Sequence, residues 1–222
     1  MPLEVNSSIK RQNSDEGGLI GGFFRFVDRN KVRDFFEEPN PNQILGISCN
    51  HVIANINACN VGDVLTDKNG NQIGTLDYWL ILEDTGSLVV NKAEFALFQP
   101  NSNPPFVWSN KYSSFKPSCF ANAYLNAKVV FIKPNGPIAR GQVTDINHRV
   151  SITWNNRQYH FNCIEVSPIG GNQFSQPGDS GGAVYLNNSL LGIIFGVSHD
   201  GSRSYIIPYI DGILNFVDLE IY

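Results

Sequence analysis

The run Gly178-Asp179-Ser180-Gly181-Gly182 carries the sharpest chemical signal in the sequence. An acyl-transfer nucleophile must stand exposed on a tight bend, and glycines allow the backbone to make that bend. On such a bend the N–H groups of Gly178 and Ser180 can point together at a developing oxyanion. The run therefore predicts Ser180 as a nucleophile and these two amides as an oxyanion hole. A plain glycine-rich turn between strands is the alternative interpretation.

A serine hydroxyl is a poor nucleophile without a neighbouring base, and the sequence offers four histidines. His51 follows an apolar run at residues 44–48, so it lies at a strand end, from which a side chain can face a cleft. The other histidines lie in turns or within a strand: His148, His160 and His199. We therefore predict His51 as the general base.

The base needs an acceptor on its other ring nitrogen, which fixes the tautomer and stabilises the imidazolium. Glu94 heads the apolar run Glu94-Phe95-Ala96-Leu97-Phe98, where a carboxylate would otherwise be buried without structural gain. We predict Glu94 as this acceptor. An exposed glutamate at the start of a strand is the alternative, and Asp77 and Asp84 are the reserve candidates.

Charge and composition exclude several classes of function. The formal net charge is −4 and the 16 Lys and Arg residues are scattered, so the basic stripe of a nucleic-acid-binding protein is absent. Nowhere do 18 consecutive apolar residues occur, and the first ten residues show no apolar run, so we expect neither a membrane span nor an export signal. We therefore expect a cytoplasmic protein that binds neither nucleic acid nor membrane.

The cysteines fit the same expectation. A secreted chain could pair Cys49, Cys59, Cys119 and Cys163, but without an export signal we expect thiols in a reducing compartment. No CxxC or paired Cys/His spacing indicates zinc. We therefore expect no metal and no cofactor.

Short runs of β-branched and aromatic residues, separated by Gly, Asn and Pro turns, must position these candidates. With 20 Gly and 12 Pro the pattern predicts an all-β fold. Apolar residues at helical spacing after Pro208 predict one terminal helix at residues 210–219. We expect a polar tail at 1–18, an N-terminal β-barrel at 19–105 and a C-terminal β-barrel with the helix at 120–222, joined by a proline-rich linker.

These residues together resemble the trypsin-like (chymotrypsin-fold) serine peptidases, in the variant seen in bacterial members and here in an intracellular setting. The order histidine, acid, serine is that of the family, although the family's acid is aspartate. The similar segments are Ser48-Cys49-Asn50-His51-Val52, Glu94-Phe95-Ala96-Leu97, the serine run, Gly192-Ile193-Ile194-Phe195-Gly196 and Tyr205-Ile206-Ile207-Pro208. The resemblance implies two six-stranded antiparallel barrels with a C-terminal helix.

The resemblance also implies a substrate pocket. Phe174, six residues before the nucleophile, matches the base of the primary specificity pocket, where an aspartate would select Arg or Lys. The wall strand would supply Ile194, Phe195, Gly196 and Val197. This implies little cleavage after basic residues and a preference for small or apolar ones, unless Asp200 or Asp211 reaches the pocket.

Leu19-Ile20-Gly21-Gly22 is faintly similar to the activating amino terminus that pairs with the aspartate beside the serine, here Asp179.

Three functions remain open from the sequence. The first is a serine endopeptidase that acts on proteins or peptides through an acyl-enzyme, with Ser180, His51 and Glu94 as the triad. The second is a catalytically silent module of the same fold that binds a partner protein. The third is a peptidase that becomes active only after a regulatory partner or cleavage of the tail completes the oxyanion hole.

Overall fold

The structure, a computed structural model, describes residues 3–28, 42–84, 89–101, 106–108, 116–134 and 136–222 of the 222-residue chain. Half of the predicted linker, including residues 109–115, lies outside the described residues. The strands are β1 Leu3–Glu4, β2 Ser8–Arg11, β3 Gly17–Leu19, β4 Gly22–Asp28, β5 Ile44–Ser48, β6 Val64–Thr66, β7 Gln72–Trp79, β8 Ala96–Pro100, β9 Phe106–Val107, β10 Cys119–Phe120, β11 Lys128–Ile132, β12 Ile138–Trp154, β13 Arg157–Pro168, β14 Ala183–Leu186, β15 Ser189–Val197, β16 Ser204–Pro208 and β17 Asp218–Ile221. The single α-helix in the described ranges is α1, Asn50–Ile53.

Two curled sheets confirm the all-β fold class. The C-terminal sheet has the order β10-β15-β14-β11-β12-β13-β16, and β16 also pairs with β15. That second pairing closes a ring of six strands, with β10 added outside it. The ring encloses a core that includes Phe131, Val166 and Ile206, each of them fully buried.

The N-terminal sheet has the order β17-β4-β5-β8-β7-β6-β2-β3. β3 and β4 follow each other in the chain with only Ile20 and Gly21 between them, yet they lie at or next to opposite ends of this order. The bent segment therefore brings the two ends of the sheet together. Alternation of buried and more exposed residues along β7 is the strand period that the sequence predicts.

The prediction of a polar tail at 1–18 is wrong, because the described residues 3–18 contain strands that pair with the rest of the fold. β2 and β3 extend the N-terminal sheet, and β1 pairs with β9. Val5 and Ile9 have polar neighbours in sequence, but both are buried in the hydrophobic core. These two apolar residues suffice to dock so short a segment. The buried Asn6 side chain donates to Ile132 O at 2.9 Å and accepts from Ala183 N at 2.7 Å, so it ties the segment to the C-terminal sheet.

The predicted terminal helix is also wrong. A short 3₁₀ helix, Ile213–Asn215, is followed by β17, which pairs antiparallel with β4. Val217 is fully buried, so the spacing that predicted a helix reflects burial and not helical structure. The open edge of β4 offered a row of unpaired backbone groups, and pairing with it overrides local helix propensity. Because β17 belongs to the N-terminal sheet, the C-terminal barrel does not extend to residue 222.

A long hairpin of β12 and β13 projects from the C-terminal sheet. β12 runs for 17 residues, with bulges between Val143 and His148. Its tip is a two-residue turn with positive φ at Asn155 (50°) and Asn156 (62°), as hairpin turns of this length require. The hairpin reaches the N-terminal half of the chain, where Phe161 bridges to Asn91.

Candidate active site

His51 lies on α1, directly after β5. The side chain of the buried Asn50 anchors this turn, because its amide nitrogen donates to Leu80 O at 2.7 Å and to Asn57 Oδ1 at 2.9 Å. Val52 and Ile53 are buried beside it. The His51 ring therefore leaves a rigid corner of the barrel and keeps 17% of its side chain exposed.

Glu94 is completely buried and lies against His51. Its Oε1 accepts from the backbone N of His51 at 2.7 Å, and it lies 3.0 Å from Nδ1. A carboxylate accepts and does not donate, so this contact places the ring proton on Nδ1 and leaves Nε2 as a proton acceptor. The structure thus brings together the predicted base and acid.

The other candidates for the base and the acid lie elsewhere. Asp84 forms an ion pair with Arg157 at 3.1 Å. Asp77 Oδ2 has no hydrogen-bond partner in the described part of the chain, and burial raises the pKa of this carboxyl. Two of the remaining histidines contact other polar side chains: His148 lies 3.7 Å from Asp145, and His160 Nδ1 lies 2.6 Å from Ser151 Oγ. His199 is exposed.

The serine run forms a bend with positive φ at Gly178 (94°) and Gly181 (90°). The loop is closed by Gln176, whose N–H donates to Asp179 Oδ2 and whose carbonyl accepts from Asp179 N. Within the described ranges, neither the N–H of Gly178 nor that of Ser180 donates to a protein acceptor. Both amides are therefore available as donors, and their role as an oxyanion hole stays a prediction.

Ser180 and His51 lie on adjoining segments. A Cβ placed on Gly181 would come within 2.5 Å of Ser48 Oγ, and the Cys49 thiol lies beside the Gly181 amide. Among the described residues, however, Ser180 Oγ makes no hydrogen bond, with His51 or with any other group. In enzymes without substrate the catalytic hydrogen bonds are often long and tighten only in the Michaelis complex.

Trp154 is a site residue that the sequence analysis missed. Its ring stacks on the His51 ring, with centroids 4.8 Å apart and planes inclined by 21°. The β12–β13 hairpin delivers it, because Trp154 is the last residue of β12 before the Asn155-Asn156 turn. An aromatic residue at a hairpin tip was the only available signal. The stack restricts the orientation of the imidazole plane.

The predicted pocket residues divide into two groups. Phe174, Ile194 and Phe195 lie in the cores with 0–1% exposure, and the Phe174 ring packs 6.2 Å from that of Phe131. Gly196 and Val197 at the end of β15 are half-buried. Of the five, only this second pair offers accessible surface, and the pocket role of all five residues stays a prediction.

The activating pair suggested by Leu19-Ile20-Gly21-Gly22 is not formed. Leu19 N donates to Ser180 O at 2.7 Å from within β3, while the Asp179 carboxylate accepts from Gln176. Burial raises the pKa of Asp179. β3 therefore lies beside the serine run and is bonded to it through the backbone of Leu19.

Comparisons with known proteins place this geometry in a known fold. No protein-family model and no curated protein matches the sequence. Among solved structures, Cellulomonas bogoriensis chymotrypsin is 16% identical with a TM-score of 0.64, over 100% of this chain and 99% of that one. Thermobifida fusca protease A is 12% identical with a TM-score of 0.63, over 99% of both chains. A glutamic acid-specific serine protease that uses a histidine triad in substrate binding is 16% identical with a TM-score of 0.65, over 99% of this chain and 100% of that one.

The chain therefore has the two-barrel, chymotrypsin-like fold of the bacterial trypsin-like serine peptidases. This result confirms the fold that the sequence motifs predicted.

Proposed function

We propose that this protein is a serine endopeptidase. The observation that carries the proposal is the buried Glu94 carboxylate, which holds both the backbone N–H and the Nδ1 of His51. A buried carboxylate has a large desolvation cost, and structural needs alone do not explain its placement on a histidine next to a glycine-flanked serine. The chymotrypsin-like fold of the structural neighbours supports the same reaction class.

In the proposed reaction each of these groups has one role. Ser180 Oγ attacks the carbonyl carbon of the substrate while His51 Nε2 takes the hydroxyl proton. The N–H groups of Gly178 and Ser180 stabilise the oxyanion, and each such donor contributes about 3–4 kcal/mol. His51 then gives its proton to the leaving amine, which leaves an acyl-enzyme on Ser180. Water activated by the same nitrogen hydrolyses that ester.

The proposed substrates are proteins or peptides with a small or apolar residue before the cleaved bond. Phe174 carries no charge that could pair with a guanidinium, and its side chain is buried in the core. Asp200 accepts hydrogen bonds from Ser198 and Ser202, which lower its pKa to about 2 and hold it within its own turn. Leaving a guanidinium unpaired in a pocket costs several kcal/mol.

A peptide library tests this proposal. We expect the wild type to cleave peptides and Ser180→Ala to lose this activity. Of all cleavages made by the wild type, we expect less than a tenth to follow Arg or Lys. Cleavage that is equal in the wild type and Ser180→Ala would assign the activity to a contaminant. Dominant cleavage after basic residues would overturn the specificity.

One observation favours a second candidate, a peptidase that is completed by a partner or by its substrate. In the described structure Ser180 Oγ does not bond to His51. A regulatory protein that moves the β12–β13 hairpin would act directly on His51 through Trp154. Activity that appears only after a cell extract is added would support this candidate over a constitutive enzyme.

The proposed cytoplasmic location can be tested by fractionation.

A further inference from the structure

The Cys49 side chain extends the Glu94–His51 pair into a group with metal-binding chemistry. One ligand atom from each of Cys49, His51 and Glu94 lies within 4.8 Å of the others, and no other such trio occurs among the residues that the structure describes. The three residues combine a sulfur, an imidazole nitrogen and a carboxylate oxygen, which is a donor set that Zn²⁺ and Cd²⁺ accept. The sequence analysis predicted no metal site because Glu94 comes from a distant segment.

A second observation points to unused binding capacity at this position. Glu94 is fully buried, and its Oε2 has no hydrogen-bond partner within the described ranges. The Cys49 thiol, also fully buried, lies against this carboxylate and donates to Ile194 O at 3.2 Å. A buried carboxylate oxygen without a donor is rare, because its desolvation is not compensated.

We propose that Cys49, His51 and Glu94 form an inhibitory site for a thiophilic divalent cation, with Zn²⁺ as the cellular ligand. Tetrahedral zinc with ordinary bond lengths sets its ligand atoms about 3.4–3.6 Å apart. The Nδ1–Oε1 distance of 3.0 Å would widen by about 0.4 Å, and Ile194 O or a water would complete the coordination. His51, the partly exposed member of the trio, marks the way in from solvent.

The binding step balances in protons and charge. Zn²⁺ forms bonds to Cys49 Sγ, His51 Nδ1 and a Glu94 oxygen, and the thiol proton leaves to solvent. The Nδ1 proton is also lost, but Nε2 takes one up from solvent, so the imidazole stays neutral and one proton is released in all. One dication, one thiolate and one carboxylate sum to zero, so the buried group is neutral. No oxidation or reduction takes place.

Metal at this position would switch the tautomer of the base. An imidazole bound through Nδ1 carries its proton on Nε2, so His51 can no longer accept the proton of Ser180. Binding itself is independent of the proposed peptidase activity, whereas inhibition rests on that proposed function.

Cadmium alone is the probe, because a cadmium–thiolate bond gives an ultraviolet charge-transfer band. The background protein carries Cys59→Ser and Cys119→Ser, since these two thiols are not fully buried. We expect one Cys49-dependent cadmium per chain, reversed by EDTA, and loss of the band on adding Cys49→Ser. Cys163→Ser, which alters the other buried cysteine, is the matched control and should keep the band.

A second variant guards against misfolding of Cys49→Ser. His51→Gln leaves the thiol in place and removes the nitrogen ligand, so we expect cadmium affinity to fall at least tenfold. In the parent protein micromolar Zn²⁺ should inhibit hydrolysis, whereas Mg²⁺ and Ca²⁺ should not.

Absence of a band in the background protein, persistence of the band in Cys49→Ser, or unchanged affinity in His51→Gln would each overturn the site. A Cys49-dependent band in a protein that hydrolyses nothing would refute the proposed function and leave the metal site standing.

Discussion

The Oε1 atom of Glu94 contacts His51 twice, at 2.7 Å from the backbone N and at 3.0 Å from Nδ1. One oxygen thus fixes both the main chain and the ring of the same residue. The longer side chain of glutamate, compared with aspartate, is accommodated because Glu94 lies just before β8 and not within it. The geometry of the base therefore depends on the length of this one side chain.

Substitution of Glu94 tests that dependence. Glu94→Gln keeps the shape but offers an amide to His51, and we expect kcat to fall about 10⁴-fold, since the wrong tautomer is then favoured. Glu94→Asp withdraws the carboxylate by one methylene, and a displacement near 1 Å corresponds to about a hundredfold loss. Steady-state kinetics with a peptide substrate measures both. An Asp variant as active as the wild type would show that the side-chain length is unimportant.

The stack of Trp154 on His51 gives a separate prediction. Trp154→Ala removes an aromatic contact that contributes about 0.5–1.5 kcal/mol, so we expect kcat/KM to fall about three- to tenfold. Trp154→Phe keeps an aromatic face and should stay within about twofold of the wild type. Equal losses in the two variants, with unchanged thermal stability, would contradict a role for the stack.

The two glycines with positive φ in the serine run should respond differently to alanine. A Cβ on Gly181 would lie 2.2 Å from Leu19 O, whereas a Cβ on Gly178 meets nothing within 4 Å. We expect Gly181→Ala to lower the free energy of unfolding by about 2–5 kcal/mol through overpacking and backbone strain. Gly178→Ala should cost about 1–3 kcal/mol from its positive φ alone, while it misdirects an oxyanion donor. Urea denaturation compares them, and equal destabilisation would contradict the difference in packing.

Asp77 predicts a pH dependence of stability. Burial raises the pKa of this carboxyl in the folded state above the unfolded value, so the folded state favours the protonated form. The stabilisation this group provides is fully present below the unfolded pKa and is lost as pH rises through the folded pKa. Asp77→Asn should therefore raise the free energy of unfolding at pH 7 and leave it unchanged near pH 3. The exposed Asp15→Asn is the control, and a gain that is equal at both pH values would refute this cause.

The fold and the catalytic candidates could be predicted because their signals are local. The glycines around Ser180 are required by backbone geometry at that position, and two of them do have positive φ. Glu94 was identifiable because a carboxylate at the head of an apolar run needs a buried partner. In each case a few neighbouring residues contained the reason.

The missed features depend on pairing between distant segments. Trp154 reaches His51 only because bulges let β12 run for 17 residues, and no local pattern specifies that length. Leu219 ends a stretch whose apolar spacing is that of a helix, but it lies in β17, opposite Phe26 on β4. Asn6 looked like part of a polar tail, yet its amide bonds to Ile132 and Ala183, both more than 100 residues away.

The most direct test of the central claim is labelling with a fluorophosphonate probe, followed by intact mass and peptide mapping. The proposal predicts one probe per chain on Ser180, with no labelling of Ser180→Ala or of heat-denatured protein. His51→Ala should be labelled far more slowly, since Ser180 then lacks its base. A native protein that stays unlabelled while a control peptidase in the same buffer reacts would contradict the claim, as would labelling at a serine other than Ser180.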